Sequence, residues 1–282
     1  MLTRTSLLSA ITALGLWGFG NPVMGQALLP YVLPLDYERL EEQGLALAQE
    51  AAQLAQLRQF DLALAQAQLA AQLAPEDATV WGLLGTLYLQ VEDLDAAITA
   101  LNQAQQLEAD NPSVLFALGT AHFRQGDYRQ ASNFLESGLN LEPTNPGALF
   151  DLGNAYFKLN QFEQAIARYQ TSVEIEPEFW PSINNIGLVQ YEQGQVDDAI
   201  GSWEASLDIA PMESEPQLAI AVATFAQGDE TEGVRLGIPA LERDSRYADL
   251  EFLEDNLWGP QLLQDTQVFF SHPAVKAILV QL

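Results

Sequence analysis

Residues 152–170, "LGNAYFKLNQFEQAIARYQ", carry the pattern that decides the fold. Gly153 and Tyr156 lie three residues apart and share one helical face, and Ala165 and Tyr169 lie four apart on a second helix. Small residues at Gly153 and Ala165 allow two helix backbones to approach closely, while the two tyrosines fill the space beside that contact. The segment therefore predicts a pair of antiparallel helices joined by a tight turn.

The same pattern recurs every 34 residues along most of the chain. Three series share this period: Gly85, Gly119, Gly153 and Gly187; Ala97, Ala131, Ala165 and Ala199; Pro143, Pro177 and Pro211. Interlocked series at one period indicate tandem structural repeats. Because one helix pair cannot cover its own apolar face, neighbouring pairs are expected to stack into a superhelix with a concave inner surface.

The repeat resembles that of the tetratricopeptide repeat (TPR) family. The stretch "WGLLGTLY" at residues 81–88, followed by Ala97, reproduces the first half of the TPR motif. The resemblance implies an all-α TPR superhelix, an α-solenoid of antiparallel helix pairs in 34-residue repeats with C-terminal capping helices. The predicted organisation is a signal peptide at 1–27, an extended lead-in and the start of the first helix at 28–43, repeats at 44–77, 78–111, 112–145, 146–179 and 180–213, a degenerate repeat at 214–247, and capping helices at 248–282.

The amino-terminal residues 1–27 have the features of an export signal. A positive start with Arg4 precedes an apolar run over residues 7–19, and Gly25 and Ala27 have the spacing of a cleavage site. We therefore expect an exported protein of the periplasm or thylakoid lumen. The apolar run is shorter than the ~20 residues that span a bilayer. An uncleaved amino-terminal segment that anchors the chain in the membrane is the alternative.

Composition excludes several classes of partner and site. The chain has 11 Lys and Arg against 38 Asp and Glu, a formal net charge of −27. This field repels phosphate backbones, so no nucleic-acid partner is expected. The absence of cysteine excludes disulfides, thiolate metal sites and thiol nucleophiles.

No sequence pattern indicates a catalytic, cofactor-binding or metal site. His122 takes the repeat slot of Tyr88 and Tyr156 and is predicted to be an aromatic core residue, whereas His272 is predicted to lie in the first turn of a helix. Phosphate-binding loops and nucleophile or zinc motifs are missing. We predict a protein that is not an enzyme. An enzyme that uses a pair of converging carboxylates is the less favoured alternative.

The concave side of the superhelix is the predicted binding surface, since positions about 100° round from the packing stripe of each first helix face it. In repeats three to five we predict a partner-binding groove of twelve residues: Phe116, Thr120, Phe123, Arg124, Phe150, Asn154, Phe157, Lys158, Asn184, Asn185, Leu188 and Tyr191. Aromatic walls with adjacent amides suit an apolar helix or extended segment of a protein. The TPR family favours similar residues in several of these slots, so the scaffold alone is the alternative explanation.

The carboxylate clamp of chaperone-binding TPR domains is matched only in part. Asn154 and Asn185 occupy the positions of its two asparagines, but Phe150 replaces a basic residue. Glu215 and Ala219 stand where two further basic residues belong. We therefore do not expect binding of an acidic chaperone carboxyl terminus.

Together these features predict a non-enzymatic scaffold that binds a partner protein and aids assembly or stability of a membrane or envelope complex. Acidic repeats rich in Ala, Gln and Leu behind an export signal resemble exported cyanobacterial TPR proteins, some of which assist photosystem or pigment-enzyme biogenesis. Contact with a membrane is expected only through an uncleaved signal or a membrane-protein partner. A binding module for a small apolar ligand or a divalent cation is the alternative function.

Overall fold

A computed structural model describes residues 36–282, which form fifteen α-helices and one short 3-10 helix and contain no strand. The predicted signal peptide and most of the lead-in lie outside the described residues. The helices are α1 (Tyr37–Gln56), α2 (Phe60–Leu73), α3 (Ala78–Gln90), α4 (Leu94–Leu107), α5 (Pro112–Arg124), α6 (Tyr128–Leu141), α7 (Pro146–Lys158), α8 (Phe162–Ile175), α9 (Trp180–Glu192), α10 (Val196–Ile209), α11 (Ser214–Ala226), α12 (Glu230–Arg243), α13 (Leu250–Asp255), α14 (Pro260–Ser271) and α15 (Pro273–Leu279). The predicted all-α solenoid of helix pairs is confirmed.

In repeats two to five, the glycine slot of the first helix lies against a large side chain of the paired helix. Gly153 on α7 faces Tyr169 on α8 so closely that a Cβ atom at position 153 would overlap the tyrosine ring. Gly187 faces the ring of Trp203 in the same way one repeat later. The first pair is closed at Gly44, where a Cβ would lie 2.9 Å from that of Ala74. Successive pairs then stack, α2 on α3, α4 on α5 and so on to α10 on α11.

Local side chains set the ends of the helices. Asp77, Asp93, Asn111, Asp127 and Asn145 each accept a hydrogen bond from the backbone N–H three residues on, which satisfies a donor that the helix leaves free. The turn inside each pair has one residue with positive φ, in the same repeat slot each time: Arg58, Glu92, Gly126, Asn160, Gly194 and Gly228. Because the turn geometry persists where the residue is not glycine, the packing of the two helices determines it.

The C-terminal helices do more than cover the last repeat. After the 3-10 helix Ser245–Ala248, α14 packs against α11 of repeat six and also reaches α9 of repeat five, while α15 packs against α12. His272 is the N-cap of α15 and accepts a hydrogen bond from Ala274, so the predicted place in the first turn is wrong by one residue. His122 stacks on Phe134 with the rings 5.3 Å apart, as expected of an aromatic packing residue, but it is half-buried and so does not lie within the core as predicted.

Candidate partner-binding groove

The twelve predicted groove residues divide into a buried and an accessible half. Buried are Asn154, Phe157, Asn184, Asn185, Leu188 and Tyr191. Half-buried or exposed are Phe116, Thr120, Phe123, Arg124, Phe150 and Lys158. The boundary runs through α7 of repeat four. The covered part of the concave side extends from the C-terminal half of α7 to repeat six, and the open part from repeat two to the N-terminal half of α7.

The covered part is occupied by the chain's own residues 250–271. Lys158 Nζ donates to the carbonyl oxygen of Glu254 at 3.3 Å. Tyr191 Oη donates to Asp265 Oδ2 at 2.7 Å. These bonds join the ends of α7 and α9 to α13 and α14, which lie two or more repeat lengths further along the chain. The C-terminal segment thus takes the place that a partner would take in this part of the groove.

Lys158 and Glu192 occupy the same slot in successive repeats and carry opposite charges. Each binds the helix end whose partial charge is opposite to its own. Lys158 meets a carbonyl in the last turn of α13. Glu192, in the same slot one repeat later, accepts from the backbone N–H groups of Gln261 at 3.1 Å and Leu262 at 3.0 Å in the first turn of α14. A cation at a helix C-terminus and an anion at an N-terminus are both favourable. Gly259 lies against the Glu192 carboxylate, where a Cβ atom would overlap it.

Trp258 lies at the centre of the covered part and is 1% exposed. Its Nε1 donates to Glu215 Oε1 at 3.2 Å. Burial raises the pKa of the Glu215 carboxyl to about 7, partly offset by hydrogen bonds from Asn184 and Trp258. The preceding residue, Leu257, is held at φ +70°, a conformation that costs a bulky residue about 1 to 3 kcal/mol. Packing of Trp258 and Leu257, both buried, therefore holds this turn in place.

Sequence reasoning missed Trp258 as a groove residue, whereas Glu192 lies in a slot that the repeat frame assigns to the concave side. Trp258 lies outside the repeat frame, so no repeat slot marked it. The sequence did mark Glu215 as unusual, because this carboxylate stands at a position where the TPR clamp has a basic residue. The structure explains that replacement, since an anionic or neutral carboxyl can accept the indole N–H and a cation could not.

The amides predicted to meet a partner's backbone bond to one another instead. Asn154 Oδ1 accepts from Tyr169 Oη at 2.7 Å and from Asn185 Nδ2 at 2.9 Å. Asn184 Nδ2 donates to Asn185 Oδ1 at 3.1 Å. This chain of buried bonds ties repeat four to repeat five. None of the three amides is accessible to a partner in this conformation, and their contact with one stays a prediction.

The open part contains a pocket of about 330 Å³ between α3 and α5. Its residues include Thr79, Gly82, Leu83 and Thr86 on α3 and Ser113 and Val114 on α5. A Cβ atom at Gly82 would meet only Val114 Cγ2, at an ordinary 3.5 Å. Gly82, unlike Gly153, therefore has no packing partner that requires a glycine.

The aromatic side chains predicted to line the groove also pack within the repeats. Phe150 lies edge-on to Phe179, with ring centroids 5.6 Å apart, and Phe116 lies against Gly138 of α6. Phe123 packs on Tyr128 at 5.2 Å and borders a second pocket of about 530 Å³. This pocket lies where the open part meets Asp255 of the C-terminal segment. Phe116 and Phe150 are thus only partly available to the groove.

Asp151 is a half-buried carboxylate of the open part, in the repeat slot of Ala117 and Asn185. Thr120 Oγ1 donates to its Oδ2 at 3.3 Å. Burial raises the pKa of Asp151 to about 6, against the hydrogen bond from Thr120 and the charge of Arg124, which lower it. The Arg124 guanidinium is directed elsewhere and donates to the Leu89 carbonyl at 2.9 Å.

Among residues 36–282, no three His, Asp or Glu side chains are grouped in a way that could hold a metal ion. Among the same residues, no helix combines the length and apolar character needed to cross a bilayer.

The sequence matches the model of a family described as "Cytochrome c-type biogenesis protein H TPR domain" over residues 35–178, just over half of the chain. The chain belongs to this TPR family. The match begins at the start of the first helix pair and ends in repeat four, so it includes the open part of this TPR groove.

Solved structures share the TPR fold. PilW, described as a widely conserved type IV pilus biogenesis factor, is 19% identical, with 76% of this chain and 98% of that chain covered and a TM-score of 0.66. PilF of Pseudomonas aeruginosa is 15% identical, with 78% and 98% covered and a TM-score of 0.62. YrrB, described as a TPR protein with an unusual peptide-binding site, is 19% identical, with 63% and 93% covered and a TM-score of 0.53. At these identities the likeness concerns the fold alone. Curated protein sequences give no match.

Proposed function

We propose that this TPR protein is a non-enzymatic scaffold that binds a segment of a partner protein in the open part of its concave groove. The observation that carries the proposal is Gly82. Glycine inside a helix costs about 0.8 to 1 kcal/mol relative to alanine. At Gly85, Gly119 and Gly153 that cost has a packing reason, because each faces a side chain of the paired helix too closely for a Cβ atom. At Gly82 no side chain of the paired helix packs against the position, which lines an open pocket instead.

The shape of this surface suits a protein segment. A pocket of about 330 Å³ accepts one large side chain rather than a whole cofactor. Thr79, Thr86 and Ser113 beside it supply hydroxyl groups that can bond to a backbone, and Leu83 supplies an apolar wall. Helices placed in grooves with apolar anchors are a common mode of peptide recognition. The peptide-binding site named for YrrB supports this choice by analogy of fold.

The partner is proposed to belong to a membrane or envelope complex whose assembly or stability the scaffold aids. The support is the export signal expected in residues 1–27 and the resemblance to exported cyanobacterial TPR proteins, which would make the complex a photosynthetic one. Mass spectrometry of the mature amino terminus in the native host tests export. A terminus near residue 28 would support it, and an intact Met1 in a protein recovered from the cytoplasm would contradict it.

Binding in the open part is tested with two matched substitutions. Gly82→Leu fills the pocket, whereas Gly201→Leu adds the same side chain on exposed α10, where nothing lies within 4 Å. Tagged full-length protein from the native host is compared with both variants by quantitative co-purification. We expect Gly82→Leu to lose a protein that wild type and Gly201→Leu retain. Equal recovery by all three, with unchanged helical content, would place the binding surface elsewhere.

A further inference from the structure

Asp151 is the acidic group of the open part that is most withdrawn from water. It lies on α7, two repeats along from the Gly82 pocket of α3, and α5 with Ala117 and Thr120 lies between these two helices and packs against both. The carboxylate is half-buried, and its one hydrogen bond from a side chain comes from Thr120, a neutral donor, at 3.3 Å. Burying a carboxylate without a close cation costs free energy, and a positively charged group that pairs with it offsets that cost.

The surrounding groups do not neutralise this charge. Thr120 and Arg124 face it from α5, and Tyr169 faces it from α8. Arg124 is the only cation of the three, and its guanidinium bonds to the Leu89 carbonyl at the end of α3. The salt bridges found among residues 36–282 are Arg235 with Glu232 and Arg246 with Asp244, both far along the chain from Asp151. The negative charge of Asp151 is thus compensated only in part, by the more distant Arg124 charge, and has no ion-pair partner among the described residues.

We propose that the partner segment presents a lysine or arginine to Asp151 while an apolar side chain of the same segment enters the Gly82 pocket. This inference rests on the proposed function and specifies the chemistry of its partner. A partly desolvated carboxylate binds an ammonium or guanidinium group more strongly than a solvated one does, because water screens the pair less. The net charge of −27 further attracts a basic segment and speeds its encounter.

The experiment uses the full chain and a phage-displayed library of random dodecapeptides as the probe. We expect the selected peptides to be enriched in Lys or Arg together with large apolar residues. The selected peptide with the highest affinity is then measured by fluorescence polarisation against wild type, Asp151→Asn and Asp208→Asn. Asp208 is exposed on α10, away from the concave side, so its variant loses the same charge outside the groove.

Asp151→Asn should weaken binding by at least about tenfold, as for loss of a close charge pair, whereas Asp208→Asn should change it less than about twofold. Affinity should also fall as the pH decreases below about 6, where Asp151 takes up a proton. This pH dependence should be absent in Asp151→Asn.

Three results would overturn the inference: equal effects of the two substitutions, which would indicate diffuse attraction; selected peptides without basic residues; or no selected peptide at all. Gly82→Leu separates this inference from the proposed function. If Gly82→Leu abolishes binding of the peptide and Asp151→Asn leaves its affinity unchanged, the groove is the site and the proposed charge pair is wrong. If Gly82→Leu is also without effect, both proposals fail.

Discussion

The indole Nε1 of Trp258 lies 3.2 Å from Oε1 of Glu215, which precedes it by more than one repeat, and both side chains are buried. This single bond joins the turn between α13 and α14 to the first helix of repeat six. It also marks the centre of the covered part of the groove. The C-terminal segment is therefore built into the solenoid and closes one end of its concave side.

Replacing Trp258 tests how firmly that segment is held. Trp258→Ala should lower the free energy of unfolding by about 3 to 5 kcal/mol, because it removes a large buried ring and leaves a cavity. Trp258→Phe keeps most of the apolar contact but removes a donor from a buried carboxyl, with a loss of about 1 to 3 kcal/mol. Urea unfolding followed by circular dichroism measures both. A loss below about 1 kcal/mol for Trp258→Ala would mean that the turn contributes little to the fold.

Glu215 should make stability depend on pH. Its pKa rises from 4.5 when unfolded to about 7 when folded, so the folded state holds the proton more tightly. The resulting stabilisation is fully present below about pH 4.5 and is lost as the pH rises to 7. Trp258 and Asn184 contact the carboxyl, and Glu213 adds a like charge nearby.

Glu215→Gln removes this titration and so tests whether Glu215 makes the protein less stable as the pH rises. Since Asp151 titrates in the same range, the useful quantity is the difference in unfolding free energy between variant and wild type. We expect that difference to shift in favour of the variant by on the order of 1 to 3 kcal/mol between pH 5 and pH 8. A difference that is constant over this range would contradict the assigned role of burial.

Glu192 should hold the first turn of α14. Glu192→Ala removes the acceptor of the Gln261 and Leu262 N–H groups, and loss of such a cap typically costs about 1 to 2 kcal/mol. Hydrogen exchange should accelerate at those two amides before it does so elsewhere in α14. Glu204→Ala, an exposed change on α10, is the control and should leave exchange at residues 261 and 262 unaltered.

Gly153 and Gly82 should respond to alanine in opposite directions. At Gly153 the added Cβ overlaps the Tyr169 ring, so we expect a loss of about 1 to 3 kcal/mol, as for overpacking of a core. At Gly82 the added Cβ meets only an ordinary contact, and the better helix propensity of alanine should stabilise the protein by up to about 1 kcal/mol. Thermal or urea unfolding of the two variants decides this. Destabilisation by Gly82→Ala would show that its glycine serves the fold after all.

The helix pairs could be predicted from the sequence because their causes are local and repeated. Gly153 and Tyr169 belong to the two helices of one pair, and the same relation recurs in the neighbouring repeats, so one segment predicts the packing of its copies. Asp127 and Asn145 cap helices within three residues of themselves, which is also readable from local sequence. The same periodicity also predicts the groove slots of Asn154 and Asn184.

Only the tertiary structure decided which concave residues are accessible. Asn154, Asn184 and Tyr191 occupy groove slots just as Thr120 does, yet they are buried and Thr120 is not. At Tyr191 the difference is made by the C-terminal segment, whose Asp265 accepts a hydrogen bond from its hydroxyl, and at Asn154 by the side chains of Tyr169 and Asn185. Residues 250–271 lie outside the repeat period and pack on helices that precede them by two or more repeat lengths. A repeat pattern specifies contacts between neighbouring repeats. It carries no information on where a segment without that pattern will pack, because that depends on which apolar and charged surfaces the finished solenoid leaves uncovered.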